Sequence, residues 1–453
     1  MKCGFYEADI TPALGYDMRG YSKRRTSDGV LTKLYAKAAA VEIDGICGIV
    51  ISVDMIHMPQ SVHDIAVKRI EEKTGIPTER ILIHATHTHT GGPAGDEGDG
   101  ETESFTADAA YTEFAGKMAG DCGILAYQRM QEATAKANKK KVEGISFIRN
   151  FKMRDGRVLM NPGWQNPEVL EPFGELDDEL VVMFFYGENE KPIGAIVNFA
   201  LHHDCVSDWN HCTKYCADYS GIMADELKKT FGPDFVTVMV NGACGNINHF
   251  DVSKKFDEFF ANPPYIRIGK RLADEVLSLY KTAEPMKMDT VGGRKVIIEI
   301  ERRKVSDEEV KEFKDIIEKY PNPHDAPGGL GDPESDGSKR HRAVKVLNFI
   351  KLGDKLPMTL QALRLGDLMI YAVCGETYSE FGIYIKENSP SPFSMVAELA
   401  NGEVDCYIPT RKAFGTTLYE AQIPSSKLVA DGGYIIADHV LDLAKEIINE
   451  KNN

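Results

Sequence analysis

The chain has 453 residues, of which 43% are hydrophobic and 27% charged, a composition typical of a globular protein with a large core. Its formal net charge of −16 argues against nucleic acid or an anionic membrane surface as the main partner, because both attract positive charge. No apolar run is long enough for a transmembrane helix, and the start of the chain lacks the apolar core of a signal peptide. The nine cysteines are therefore interpreted as free thiols of a cytoplasmic protein.

Short apolar runs alternate with helical patterns through the first two thirds of the chain. In order, the sequence predicts a hairpin over 37–58, a helix over 61–75, a strand over 80–90, helix from about 107 to 137, strands over 180–187 and 193–203, a helix over 219–232, a strand entering a glycine-rich loop over 235–248, and a helix over 263–283. This alternation predicts an α/β fold with a large mixed sheet core flanked by helices.

The last third changes character before the core resumes. The sequence predicts a strand over 291–305, a charged helix over 306–323, a Gly- and Pro-rich loop over 324–342, two strands and a helix over 356–388, and a final amphipathic helix over 432–450. We interpret residues 301–350 as a peripheral excursion rather than a second domain, so that residues 1–453 form a single domain.

Four predicted strands end in polar or glycine-rich loops that carry potential metal ligands. These loops hold His87 and His89, His202 and His203, Asn246 and Asn248, and Glu376. Functional side chains gather where the carboxyl ends of strands give way to loops, so these residues are candidates for one site.

The stretch "HATHTH" is the first of these loops. In an extended chain His87 and His89 point to the same side and Thr88 to the other, which suits a zinc site. An isolated His-x-His is explained equally well by hydrogen-bonded residues at a polar strand end, but the glycines that follow allow a ligand to approach closely. His84 is expected to point into the core. For Glu376, the alternative is a cap of the helix that follows.

Together the segments resemble the amino-terminal catalytic domain of the neutral ceramidases, zinc-dependent amidases that cleave the N-acyl bond of ceramide. The matching motifs occur in the family's order: "ADITPALG", "MRGY", "THTHTGGP", "IRNFKMRDG", "FALHHD", "CGETYSEFG" and "CYIPTRKAFGTTLYEA". The resemblance implies a neutral-ceramidase-like catalytic domain without the immunoglobulin-like C-terminal domain of the family. It also implies a Zn²⁺ ion bound by His87, His202, Glu376 and Tyr407. By the same resemblance, His89, Arg149 and Tyr419 line the substrate side of the site.

One departure alters the expected chemistry. The family's nucleophilic serine lies in "GDVSPN", whereas this sequence reads "GNINHF" over 245–250, with Asn248 at the place of the serine and Asn246 at that of the aspartate. An amide is not an activated nucleophile, so a metal-bound water is the expected attacker. Asn248 is then expected to donate a hydrogen bond to the oxyanion, and His89 to transfer the proton.

The sequence thus predicts a zinc-dependent hydrolase of an amide (N-acyl) or related carbonyl bond in a small molecule. Ceramide itself is not the expected substrate, because the chain shows neither secretion nor a basic membrane-binding surface. One alternative is a catalytically silent homologue that binds a metal or small molecule. The other is a structural metal site, which the tyrosine ligand disfavours.

Overall fold

The computed structural model describes residues 1–21, 24–96, 105–206, 212–322, 325–328, 335–402 and 406–450. The helices are α1 (Gln60–Thr74), α2 (Ala109–Gln128), α3 (Asp218–Phe231), α4 (Phe256–Phe259), α5 (Pro264–Tyr280), α6 (Asp307–Lys319), α7 (Asp336–Phe349), α8 (Ser379–Asn388) and α9 (Gly432–Glu450). The strands are β1 (Lys2–Asp9), β2 (Gly29–Val30), β3 (Tyr35–Ile43), β4 (Ile46–Val53), β5 (Ile81–Ala85), β6 (Gln131–Glu132), β7 (Thr134–Lys141), β8 (Phe147–Ile148), β9 (Asn150–Met153), β10 (Val158–Met160), β11 (Val169–Pro172), β12 (Glu179–Tyr186), β13 (Pro192–Phe199), β14 (Lys214–Tyr215), β15 (Val236–Asn241), β16 (Ile247–Asn248), β17 (Glu284–Pro285), β18 (Val291–Glu301), β19 (Lys355–Leu365), β20 (Leu368–Ala372), β21 (Glu376–Thr377), β22 (Phe393–Ala397) and β23 (Tyr407–Ile408).

Three mixed sheets form the framework. Their strand orders are β5-β4-β3-β1-β6, β15-β13-β12-β7-β17 and β18-β19-β20-β22. The mixed α/β class predicted from the sequence is confirmed, with the strands divided among several sheets rather than gathered in one. In each of the three sheets the strands pair antiparallel except for one parallel pair at an edge, namely β4 with β5, β13 with β15, and β20 with β22.

One apolar core joins the three sheets. Its buried side chains come from the first sheet (Val41, Val50), the second (Phe185, Val238) and the third (Ile370). The opposite faces are covered by helices, with α1 and α2 on the first sheet, α3 and α5 on the second, and α8 and α9 on the third. The inner faces therefore bury against one another and bring the parallel pairs of the three sheets together.

Most predicted elements are confirmed within a few residues. The hairpin turns at Asp44 and Gly45, both with positive φ (52° and 81°), as a two-residue turn between twisted strands requires. The helix expected from about 107 to 137 is shorter, because α2 ends at Gln128 and the chain continues as β6 and β7. Part of the loop expected over 324–342 is also helical, since α7 begins at Asp336 with Ser335 as its cap.

The excursion over 301–350 connects β18 to β19, which pair antiparallel along their whole length. Its helices α6 and α7 pack against one another. In the described part of the chain, none of the cysteines forms a disulfide. Nor is any helix there both long and apolar enough to cross a bilayer.

Candidate metal centre and active site

The first histidine pair lies just beyond β5. The strand was expected to continue to residue 90, but it ends at Ala85, and His87 takes a left-handed conformation with φ 73°. A positive φ is uncommon for a residue with a side chain and often marks a functional position. The rings of His87 and His89 do face the same region, 4.8 Å apart, through this turn rather than through strand alternation. His84 is buried, as expected, and burial lowers its pKa to about 4.

His202 and Glu376 follow the parallel pairs of the other two sheets. His202 lies after β13, and Glu376 opens β21 after β20. Their distances to His87 are short, with Nε2 of His87 3.0 Å from Nε2 of His202 and 3.4 Å from Oε2 of Glu376. Nε2 of His202 is likewise 3.4 Å from Oε2 of Glu376. Each of the three sheets thus contributes one metal-type ligand to a single point.

Hydrogen bonds fix the tautomers of both histidines. Nδ1 of His87 bonds the carbonyl of Ile56 at 2.6 Å, and Nδ1 of His202 bonds that of Cys244 at 3.0 Å. A carbonyl oxygen only accepts, so each Nδ1 carries a proton, and in the neutral form of the two rings each Nε2 presents a lone pair to the other. Two lone pairs and a carboxylate oxygen at this spacing repel one another unless a cation lies among them, which fits a divalent metal ion.

The protonation states also suit metal binding. Burial raises the pKa of Glu376, but His87 and His202 outweigh burial and hold it well below its usual range. Burial lowers the pKa of His202, and that of His89 falls well below its ordinary value for the same reason. For His87 the Glu376 carboxylate outweighs burial and raises the pKa, so a metal ion would compete with a proton for this imidazole. An ionised carboxylate and neutral imidazoles are the forms that bind metals.

Tyr407 is placed beside Glu376 by backbone pairing. In the parallel pair β21–β23, Glu376 is the direct partner of Tyr407, and the Tyr407 side chain hydrogen-bonds to that of Glu376. Gly375 allows the approach, because its φ is 73° and a Cβ there would lie 2.6 Å from the carbonyl oxygen of Cys406. The "CGE" segment therefore needs its glycine to bring the two candidate ligands together.

Arg149 enters the site as half of a buried ion pair. Its Nε donates to Oε1 of Glu420 at 2.8 Å, and its Nη1 lies 3.4 Å from Nε2 of His202. Burial lowers the pKa of a guanidinium, but Glu420 outweighs burial and raises that of Arg149. Its guanidinium also lies 5.4 Å above the ring of Tyr407. Arg149 is therefore a fixed positive charge at the edge of the ligand cluster.

His89 lies close enough to His87 and His202 to be a metal ligand itself, whereas the sequence predicted only that it lines the site. Its Nε2 lies 3.3 Å from Nε2 of His87, and His87, His89 and His202 form one group with metal-ligand spacing. The "MRGY" segment packs on it, because a Cβ at Gly20 would lie 2.9 Å from the Cα of His89 and the ring of Tyr21 lies 4.8 Å from the His89 ring. This segment fixes the backbone of the second histidine.

The two asparagines of the "GNINHF" segment have different partners. Asn248 accepts from the backbone N–H of Phe250 at 3.1 Å and donates from Nδ2 to Asn161 at 2.8 Å. Asn246 accepts from the backbone N–H of Ser379, the first residue of α8, at 2.8 Å. Its Nδ2 donates to Glu380 at 2.9 Å, so Asn246 caps that helix from outside its own segment.

An aromatic cavity of about 200 Å³ adjoins the Asn161–Asn248 contact. Its lining residues are Asn161, Gly163, Trp164, Phe250, Val252, Phe256 and Phe260. Asn161 also donates its backbone N–H to the carbonyl of Arg149 at 2.8 Å, which links the cavity to the arginine. Tyr419 lies on another side, with its ring 5.7 Å from that of Tyr407 and 56% of its surface exposed.

Comparisons with known proteins identify the family of the chain. The model of the family described as "Neutral/alkaline non-lysosomal ceramidase, N-terminal" matches residues 1–254. The chain belongs to this ceramidase family. No curated protein matches it significantly.

Solved ceramidase structures share the fold. A neutral ceramidase from Pseudomonas aeruginosa is similar over 98% of this chain and 74% of its own, with a TM-score of 0.73 and 19% identity. A structure described as "Ceramidase complexed with C2" is similar over 99% of this chain and 75% of its own, with a TM-score of 0.75 and 18% identity. The resemblance to ceramidases expected from the sequence is confirmed, as is their α/β fold.

The structure brings most predicted site residues of this ceramidase-family chain together. His87, His89, His202, Glu376, Tyr407 and Arg149 form one cluster, with Tyr419 beside it. Asn248 adjoins it through the pairing of β16 with β8, which directly precedes Arg149. Sequence reasoning missed Glu420, although "YEA" places this carboxylate directly after Tyr419 in a motif that the resemblance had already marked.

Proposed function

We propose that this protein is a zinc-dependent hydrolase that cleaves an amide (N-acyl) or related carbonyl bond in a small molecule. Family membership supports hydrolysis as the reaction class. The single observation that carries the proposal is the convergence of Nε2 of His87, Nε2 of His202 and Oε2 of Glu376 within 3.0 to 3.4 Å of one another.

Four residues would hold the metal, namely His87, His202, Glu376 and Tyr407. When bound, Zn²⁺ acidifies a water molecule and polarises a carbonyl oxygen, which is the chemistry that an amidase needs. With the amide of Asn248 in place of a nucleophilic side chain, the role of nucleophile would fall to water. No side-chain nucleophile is required, in keeping with the amide of Asn248 at the place of the family's serine.

The chain's own groups then orient the substrate and stabilise the charge that develops on it. Asn248 has a second N–H on Nδ2 beyond the one given to Asn161, and in this proposal that N–H donates to the oxyanion. Arg149 supplies a fixed positive charge, held by Glu420. His89, kept neutral by burial, can accept the proton released by the attacking water.

The cavity points to the size of the apolar group that the substrate carries. Its volume of about 200 Å³ exceeds the roughly 150 Å³ of an apolar protein cavity that holds benzene. An acyl chain or an aryl group therefore fits this space. Trp164 and Phe250 line this space and would pack against such a group.

The test measures metal content and turnover on the same preparations. Protein purified without added metal is analysed by emission spectroscopy and then assayed on N-acyl amides and esters of increasing chain length. We expect bound zinc and turnover that His87→Ala abolishes, whereas the matched control His439→Ala, which removes an exposed histidine of α9, retains both. Bound metal without turnover on any compound would favour the silent homologue. Loss of folding on chelation would favour a structural metal.

A further inference from the structure

A second group of metal-type ligands lies beside the first, on the turn that follows β13. Asp204 and Cys205 come directly after the His202–His203 pair, and His249 comes directly after β16. One ligand atom from each of Asp204, Cys205 and His249 lies within 4.8 Å of the other two. The function proposed above assigns no role to these three residues, although Asp204 lies in "FALHHD" and His249 in "GNINHF".

The group is buried. The side chain of His249 is fully buried and that of Asp204 is 14% exposed, with Oδ1 of Asp204 3.1 Å from Nδ1 of His249. Cys205 is buried as well. The rings of Phe250 and Phe259 pack against His249, at centroid distances of 4.3 and 6.0 Å. Charged groups in such surroundings are costly unless they are paired or bind a metal.

The ion pair between Asp204 and His249 brings two of the three donors together. The thiol of Cys205, which donates to the carbonyl oxygen of His202 at 3.8 Å, is the third donor of the group. A carboxylate, an imidazole and a thiolate are the three donor types that zinc takes in proteins. Three protein donors also leave the fourth position that a catalytic or exchangeable ion keeps open.

Hydrogen bonds to Asp218 stabilise the turn that carries Asp204 and Cys205. Asp218, fully buried at the start of α3, accepts from the backbone N–H of Val206 at 3.1 Å and from that of Tyr219 at 2.7 Å. These bonds hold the backbone next to Cys205 in place. Outer-shell support of this kind is a regular feature of metal sites, because it keeps the ligands in the geometry that the ion needs.

We propose that Asp204, Cys205 and His249 bind a second divalent transition-metal ion beside the site formed by His87, His202 and Glu376. The thiolate and imidazole favour Zn²⁺ over Mg²⁺ or Ca²⁺, which prefer sites made of oxygen ligands. The inference does not depend on catalysis, because it concerns binding alone.

The first test counts bound metal in the whole protein after saturation with zinc and desalting. We expect two equivalents in the wild type, one in His249→Ala, one in His87→Ala, and two in the control His439→Ala. A wild-type count of one that His87→Ala abolishes and His249→Ala leaves unchanged would overturn the proposal. A wild-type count of one that His249→Ala abolishes and His87→Ala leaves unchanged would support the site of Asp204, Cys205 and His249. The same result would remove the basis of the proposed function.

A second measurement does not rely on His249→Ala folding correctly. The wild-type protein loaded with Co²⁺ should show the near-ultraviolet charge-transfer band of a thiolate ligand. We expect Cys205→Ala to lose that band and His87→Ala to retain it. Absence of the band from the wild type, or its survival in Cys205→Ala, would show that Cys205 does not bind the ion.

Discussion

The ligand cluster around His87 and the loop around Asn248 lie side by side but use their polar atoms in opposite ways. In the cluster, Nε2 of His87, Nε2 of His202 and Oε2 of Glu376 face one another, with His89 and Arg149 beside them. In the loop, Asn246 and Asn248 direct their amides to backbone N–H groups and to neighbouring side chains. The cluster therefore needs a bound cation, whereas most hydrogen-bonding groups of the two asparagines are satisfied by the protein.

This difference separates two parts of the family's chemistry. By the resemblance described in the sequence analysis, the proposed metal ligands correspond to the family's motifs, and Asn248 is expected at the place of its serine. If hydrolysis persists, it relies on the cluster, and the loop contributes one hydrogen-bond donor. The predictions below test that division, beginning with the largest expected effect.

Glu376→Gln replaces the charged carboxylate of the cluster with a neutral amide, the group that Asn246 and Asn248 carry in the loop. We expect metal affinity to fall by more than about 100-fold, because even the outer-shell partners of metal ligands are worth about 10- to 100-fold. Competition with a chelator measures the change. Glu380→Gln, which alters a carboxylate beside Asn246 in the neighbouring loop, is the matched control, and an equal loss there would contradict the division.

Asn248→Ala removes the donor offered to the oxyanion. We expect kcat to fall by about 100-fold, the usual cost of deleting one such donor, with metal content unchanged. Steady-state kinetics on the best substrate of the panel give the value. A change confined to KM would mean that Asn248 binds the ground state only. Asn248→Ser tests the same position by restoring the family's residue, and a rise in activity would indicate that a serine can still be activated here.

Asn246→Ala should affect stability rather than chemistry. It leaves the backbone N–H of Ser379 without its acceptor, which costs about 1 to 3 kcal/mol for a buried group. Urea unfolding measures the change, and zinc content serves as the control because it should not move. Lost metal at unchanged stability would place Asn246 in the functional cluster instead.

Trp164→Ala enlarges the aromatic cavity beside the loop. We expect KM for short acyl or aryl substrates to rise by about 10- to 200-fold, since lost apolar contact is worth about 1 to 3 kcal/mol, while kcat for the smallest acetyl substrate is preserved. Trp164→Phe should recover most of the loss. Equal effects on all chain lengths would argue that the cavity does not receive the acyl group.

Much of the fold and the site follows from the sequence, for identifiable reasons. Asp44-Gly45, the periodic helices and the strands ending in histidines are local signals, and the structure contains each of them. The rings of His87 and His89 converge as predicted, yet by a left-handed turn at His87 that strand alternation does not indicate. The roles assigned to the individual site residues stay predictions.

Features that depend on distant packing were not accessible in this way. The division of the strands into three sheets is set by which inner faces bury against one another, and hydrophobic patterns along one segment do not encode that choice. Glu420 and the Asp204–His249 contact likewise join residues far apart in the chain. The sequence alone does not show that Glu420 faces Arg149 or that Asp204 faces His249.

The origin of the three central ligands in three different sheets has a thermodynamic consequence. An ion bound by His87, His202 and Glu376 would connect the three sheets at one point. Metal binding and the packing of the three sheets against one another would then stabilise each other. Filling the site should raise the melting temperature in proportion to the logarithm of metal concentration. Conversely, a core substitution that loosens any one layer should weaken metal affinity, even when it lies far from every ligand.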